Sequence, residues 1–173
     1  MKTSILVFLL LLATLMHGFG QVPGSCELCR KEISKLKFMT GKWKGTAWTL
    51  GTNQQRNTFI MTQNVQFKLD STLLQIERKG VAQGQIIYDE LAIITYAKTD
   101  SSFVYNSFLA SGTNGRFKGI LRGNRFYWYP YENIGYAITI NERGQWYELG
   151  QMRHEKEIIP FIGMTLNRQL DEN

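Results

Sequence analysis

From Gly41 to Arg168 the chain alternates apolar and polar residues with a period of two. Phe59, Met61, Val65, Phe67 and Leu69 fall on one face of a strand. Thr58, Thr62, Asn64, Gln66 and Lys68 fall on the other, beside one apolar Ile60. The turn Asp70-Ser71 leads into a strand over 72–78, and Lys79-Gly80 opens the next turn. Residues 86–96 form a long apolar run that allows burial on both faces. Further strands are expected over 103–110, 116–122, 125–131, 136–141, 145–152 and 158–168. Gly123-Asn124 is a tight hairpin signal, and Glu142-Arg143-Gly144 is another turn. Pro160 falls near the start of the last strand, where a missing ladder donor does least harm.

Before this run the period changes. Leu28, Ile33, Leu36 and Met39 recur at roughly helical spacing. With Ser25 as cap and Glu27 in the first turn, residues 26–38 read as one amphipathic helix that packs on or plugs the sheet. Gly41 ends it.

No segment is long enough for a helical crossover, so about ten strands must follow one another as an antiparallel meander. Such a meander closes into a barrel or stacks as a sandwich. Gly41-Lys42-Trp43-Lys44-Gly45 and the distant Arg168 favour closure. A glycine lets two backbones approach, and Trp43 fills a narrow barrel end. An arginine on the last strand can lie on the indole face, a contact of about 0.5–2 kcal/mol. The expected fold is therefore all-β: a closed up-and-down barrel with a short N-terminal helix.

Residues 1–20 carry a positive start at Lys2, an apolar core and small residues at Gly18 and Gly20, the pattern of a signal peptide. The expected organisation is a signal peptide over 1–20, a tether and short helix over 21–35, and a barrel domain over 36–170. Removing Lys2 lowers the net charge from +6 to +5 and leaves His154 as the one histidine of the mature chain. The apolar core is shorter than the roughly 20 residues of a membrane span. A secreted or periplasmic protein without a transmembrane segment is expected. Its basic residues, among them Lys35, Lys44, Arg78, Lys79, Arg116 and Arg122, are scattered, so they read as a solvated surface. No nucleic-acid partner is expected.

Cys26 and Cys29 are the two cysteines. A zinc site would need more ligands, and a redox motif would need a strand before the pair and a helix after it. A local disulfide, two free thiols and a lipid anchor on Cys26 stay open. His154, within Arg153-His154-Glu155-Lys156-Glu157, reads as a surface residue of a hairpin loop. Asp89 and Glu90 are adjacent, so on a strand they face opposite sides. Glu148 and Tyr147 are candidate polar groups near an interior cup. In the run Phe126-Tyr127-Trp128-Tyr129, Phe126 and Trp128 share one face. No serine sits in a nucleophile elbow, and Gly112-Thr113-Asn114-Gly115 reads as a turn rather than a phosphate loop.

The helix leading into Gly41-Lys42-Trp43-Lys44-Gly45, the segment Trp146-Tyr147-Glu148-Leu149-Gly150 and the closing Met164-Thr165-Leu166-Asn167-Arg168 resemble the calycin superfamily. That group includes lipocalins, fatty-acid-binding proteins and nitrobindin-like barrels, and bacterial secreted lipocalin-like proteins of uncharacterised function. The resemblance spans residues 36–168. It implies a barrel whose cup holds a small apolar or amphipathic molecule. Classical lipocalins add a C-terminal helix and a disulfide on the tail; both cysteines here are N-terminal, so that tail disulfide is not expected. Nitrobindin-like barrels hold haem through a histidine near the C-terminal end. His154 does not match that spacing, so no haem, no other cofactor and no metal are expected.

The cup is expected to use Phe59, Met61, Phe67, Phe103, Tyr105, Trp128 and Ile138, with Gln63 or Tyr147 for selectivity and Trp43, Gly41 and Arg168 at the closed end. Its inward face reads as aromatic and methionine-rich rather than charged. Binding without catalysis is the leading function, and a weak oligomer is compatible with it. The alternatives are a calycin-type cyclase or isomerase with an acid/base group in the cup, and a cell-envelope protein-binding module with a filled barrel.

Overall fold

The computed structural model describes Gly24 and residues 26–170. The signal peptide expected over 1–20 and the Ser25 cap lie outside the described residues. The helix α1 (Glu27–Ser34) is followed by a 3₁₀ turn, Lys35–Met39, and ten strands. These are β1 (Gly41–Leu50), β2 (Arg56–Lys68), β3 (Leu73–Ala82), β4 (Gln85–Ala97), β5 (Ser102–Leu109), β6 (Asn114–Arg122), β7 (Arg125–Tyr131), β8 (Ile134–Ile140), β9 (Trp146–His154) and β10 (Glu157–Gln169). Each strand pairs with its sequence neighbours, and β1 pairs with β10, so the meander closes into a barrel.

The seam follows from residue size. Trp43 lies opposite Arg168 in the β1–β10 register, and the guanidinium sits 4.2 Å over the indole. Gly41 has φ +124°, and a side chain there would run into the Arg168 guanidinium. Arg168 Nη1 donates to the Thr40 carbonyl at 2.6 Å, and Trp43 Nε1 donates to that of Met39 at 3.0 Å. The turn before the barrel is thereby pinned to its last strand.

The helical segment plugs this closed end. Ile33, Leu36 and Met39 are fully buried in the same cluster as Trp43, Trp146 and Leu166. Three corrections follow. The continuous helix expected over 26–38 changes at Lys35 into a 3₁₀ turn, which rotates Met39 into the core. Leu28, expected on the buried face, is 45% exposed. The cap is Cys26, whose sulfur accepts from the Cys29 amide at 3.1 Å, and the two cysteines form a disulfide. Arg30 then ties α1 to the β2–β3 turn through an ion pair with Asp70.

Two strand expectations also change. Residues 86–96 are not buried on both faces: Glu90, Ala92 and Ile94 point inward, while Leu91 and Ile86 are exposed. The outward face of β4 meets solvent at Ile87, Leu91 and Gln85 because no second sheet covers it. Gly80 does not open a turn. It continues β3 to Ala82, with a register shift between Gly80 and Val81. A Cβ at Gly80 would come within 2.9 Å of the Phe59 ring and 3.0 Å of the Tyr88 Cβ, so glycine here serves close packing.

Candidate functional site

The barrel interior is layered. The floor, next to α1, is an aromatic and aliphatic plug. Trp43 packs edge-on against Trp146 with centroids 5.8 Å apart, and Phe103 packs edge-on against Phe126 at 5.7 Å. The opposite end holds a cavity of about 380 Å³, lined by Phe59, Met61, Phe117, Trp128, Tyr136 and Phe161 and reaching the surface at Tyr131. Tyr105, Trp128 and Tyr136 stack as three nearly parallel rings, 4.4 and 4.0 Å apart, and form one wall.

Between plug and cavity lies a charged layer. Pairing register puts Trp43, Gln63, Arg78 and Glu90 in one row across β1 to β4. Glu148 enters from β9 across the barrel. Arg78, Glu90 and Glu148 are 3%, 4% and 2% exposed, and all three line the cavity. Arg78 donates through Nη2 to Glu148 Oε2 at 2.7 Å and through Nη1 to Glu148 Oε1 at 3.3 Å, and sits 3.5 Å from Glu90 Oε2. Glu90 also accepts from the hydroxyls of Ser107 at 2.6 Å, Tyr88 at 2.9 Å and Tyr105 at 3.3 Å. Trp146 Nε1 donates to Glu148 Oε2 at 3.1 Å.

This layer corrects the expectation of an uncharged inward face, and of Arg78 as a solvated surface residue. The signal was parity. Arg78 is in phase with Leu74 and Ile76, Glu90 with Ala92 and Ile94, and Glu148 with Trp146.

Electrostatics follow from burial and pairing. Burial raises the Glu148 carboxyl above the ordinary range; Arg78 opposes that shift and Glu90 adds to it. Burial alone would lower the Arg78 guanidinium, but Glu148, Tyr105 and Glu90 carry its net shift upward, so it stays charged. Burial raises the Tyr88 and Tyr105 hydroxyls well above their usual value, and pushes Tyr136 up to about 12. These phenols are therefore neutral donors at physiological pH.

The residues expected in the cup separate into groups. Phe59, Met61 and Trp128 line the cavity. Tyr105 is buried behind it, stacked on Trp128. Gln63 is buried beside Arg78, with neither amide atom paired within the protein. Phe103 packs against Phe126 in the plug, Ile138 is fully buried outside the cavity lining, and Phe67 packs half-buried against the core. Tyr147 points outward, 41% exposed, one residue out of phase with Glu148. Sequence reasoning missed Arg78, Tyr88, Glu90, Ser107 and Tyr136 as site residues. His154 lies exposed at the end of β9, away from the cavity lining. Among the described residues no group of three or more His, Cys, Asp or Glu is placed to hold a metal ion, and no helix is long and apolar enough to cross a membrane.

The chain is thus a closed ten-stranded antiparallel barrel with a mixed apolar and ionic interior. Among proteins of known structure it is similar to Rv2717c from M. tuberculosis, with a TM-score of 0.60 at 12% identity, covering 84% of this chain and 100% of that one. At that identity the likeness speaks for the fold alone. No family model and no curated protein matches the sequence.

Proposed function

We propose that this is an exported barrel of lipocalin-like, calycin type that binds a small, largely apolar or amphipathic molecule in its cup without transforming it. Haem and metal have no part in this reading. The observation that carries it is the cavity of about 380 Å³, walled by aromatic rings and Met61 above a charged floor. That combination, an apolar hollow with a few convergent polar groups, is the usual make-up of a small-molecule site.

Trp128 lines the cavity, so ligand entry is expected to change tryptophan fluorescence. Titration with fatty acids, sterols, aliphatic amines and aromatic dyes should give saturable curves for at least one class. Met61→Trp, which fills the cup, should remove them. Failure of every compound below about millimolar concentration would overturn the reading. Export predicts a mature N-terminus at Gln21, which N-terminal sequencing of the secreted material checks.

One observation favours an acid/base enzyme instead: Glu148, a buried carboxyl with a raised pKa, borders the cavity. Both of its oxygens already accept bonds from Arg78 and Trp146, which suits a structural counter-charge better than a proton shuttle. Mass spectrometry of a bound ligand after prolonged incubation separates the two readings: binding leaves the mass unchanged.

A further inference from the structure

The hydrogen bonds of the charged layer leave donors over. Glu90 already accepts from the hydroxyls of Tyr88, Tyr105 and Ser107. Glu148 accepts from both Nη atoms of Arg78 and from the Trp146 indole. Two nitrogens on cavity-lining residues stay unpaired among the described residues, Trp128 Nε1 and Arg78 Nε. Trp128 is 7% exposed and Arg78 3%. A buried N–H without an acceptor carries its full desolvation cost. Gln63 has both an amide donor and an amide acceptor unpaired, but it does not line this cavity and favours neither kind of group.

The ring stack decides how Trp128 meets the cup. Tyr105 covers one face of the indole and Tyr136 the other. The ring therefore lines the cavity by its rim, which carries Nε1. A second donor stands beside it. Tyr136 lines the same cavity, and its hydroxyl, unlike those of Tyr88 and Tyr105, is not committed to Glu90 or Glu148. Burial, reinforced by the two carboxylates, pushes that phenol up to about 12, so it keeps its proton. What this wall offers a ligand is thus a pair of neutral donors.

Resting on the ligand-binding reading above, we propose that the cup takes an uncharged, largely apolar molecule with a carbonyl-type acceptor, held by the Trp128 indole N–H and the Tyr136 hydroxyl. The apolar remainder lies among Phe59, Met61, Phe117 and Phe161. Neutral donors match a neutral acceptor. A carboxylate would need a cation of its own when buried. Arg78 is the one cation among the described residues lining the cavity, and Glu148 and Glu90 already hold it. A hydrocarbon of the same shape fits the apolar walls but leaves the indole N–H unpaired.

Calorimetric titration at pH 7 with 4-phenylbutan-2-one, butylbenzene and 3-phenylpropanoate tests it. These three share one shape and differ in the head group. On the unmodified protein the ketone should bind at least about tenfold more tightly than the carboxylate. Trp128→Phe keeps a ring in the stack and removes the N–H. It should cost the ketone about tenfold more affinity than it costs butylbenzene. Tyr136→Phe removes only a hydroxyl and should show an excess loss of about threefold. If Trp128→Phe does not fold, Tyr136→Phe and the carboxylate comparison decide. Equal losses for ketone and butylbenzene in either folded variant, or a carboxylate that binds as tightly as the ketone, overturn the proposal and leave the binding reading standing. If none of the three binds below about millimolar concentration, both fall.

Discussion

Arg78 stays charged in a place where burial opposes charge, because two carboxylates surround it. Removing it is therefore more damaging than its own contacts imply. Arg78→Met leaves Glu90 and Glu148 buried without a cation, and is expected to cost about 3–5 kcal/mol at neutral pH. The deficit should depend on pH. A carboxyl whose pKa is raised in the folded state contributes stability below its unfolded value, and that stability is lost as pH climbs through the folded value. Glu148 is such a group, with an unperturbed value of 4.5, so thermal unfolding of Arg78→Met should approach wild type near pH 5 and fall away by pH 8. A deficit independent of pH would show that packing, not charge, dominates. At this scale the sequence was half legible. Trp43, Phe59, Met61 and Trp128 announce themselves by size and phase. Arg78 did not, because charge is normally a surface mark and only its phase with Leu74 and Ile76 placed it inside.

Among elements, the strands were the readable part, since a two-residue period is clear in β2, β3, β4, β7 and β9. Their irregularities were not. Register shifts fall between Gly80 and Val81, between Trp128 and Tyr131, and between Pro160 and Ile162. The last two flank cavity-lining residues, and the first lies just beyond Arg78 on the same strand. Such shifts bend a strand and re-aim its side chains, and they depend on partner strands that no local pattern displays. Gly80 shows the cost of misreading one. As a turn glycine it would tolerate substitution; as a packed strand residue it would not. Gly80→Val should destabilise by about 1–3 kcal/mol through contact with Phe59 and Tyr88. Gln63 is the other case of hidden context, since its burial beside Arg78 depends on the β2–β3 register. The change from α1 to a 3₁₀ turn was equally hidden, because Leu36 and Met39 fit either helix locally.

For the whole molecule, the closed end is a relay of rings and guanidinia. Arg168 covers Trp43, Trp43 abuts Trp146, and Trp146 sits 5.6 Å beneath Arg78 and bonds Glu148. Seam and charged layer are thus mechanically one unit. Trp43→Ala should cost about 3–5 kcal/mol in chemical unfolding, and an unmoved midpoint would refute the role given to the seam. The same seam bears on how the chain comes to be folded. Arg168 reaches back 128 residues to the Thr40 carbonyl. Until it is available, β1 is an open edge, exposed to pairing with other chains. Every hairpin from β2 to β9 can assemble as it is synthesised, but the ring cannot. Folding is then timed by its most distant contact, which makes it slow for the size of the protein. The interval before closure is when the chain is most open to aggregation, and also when it remains loose enough to be threaded through a narrow pore.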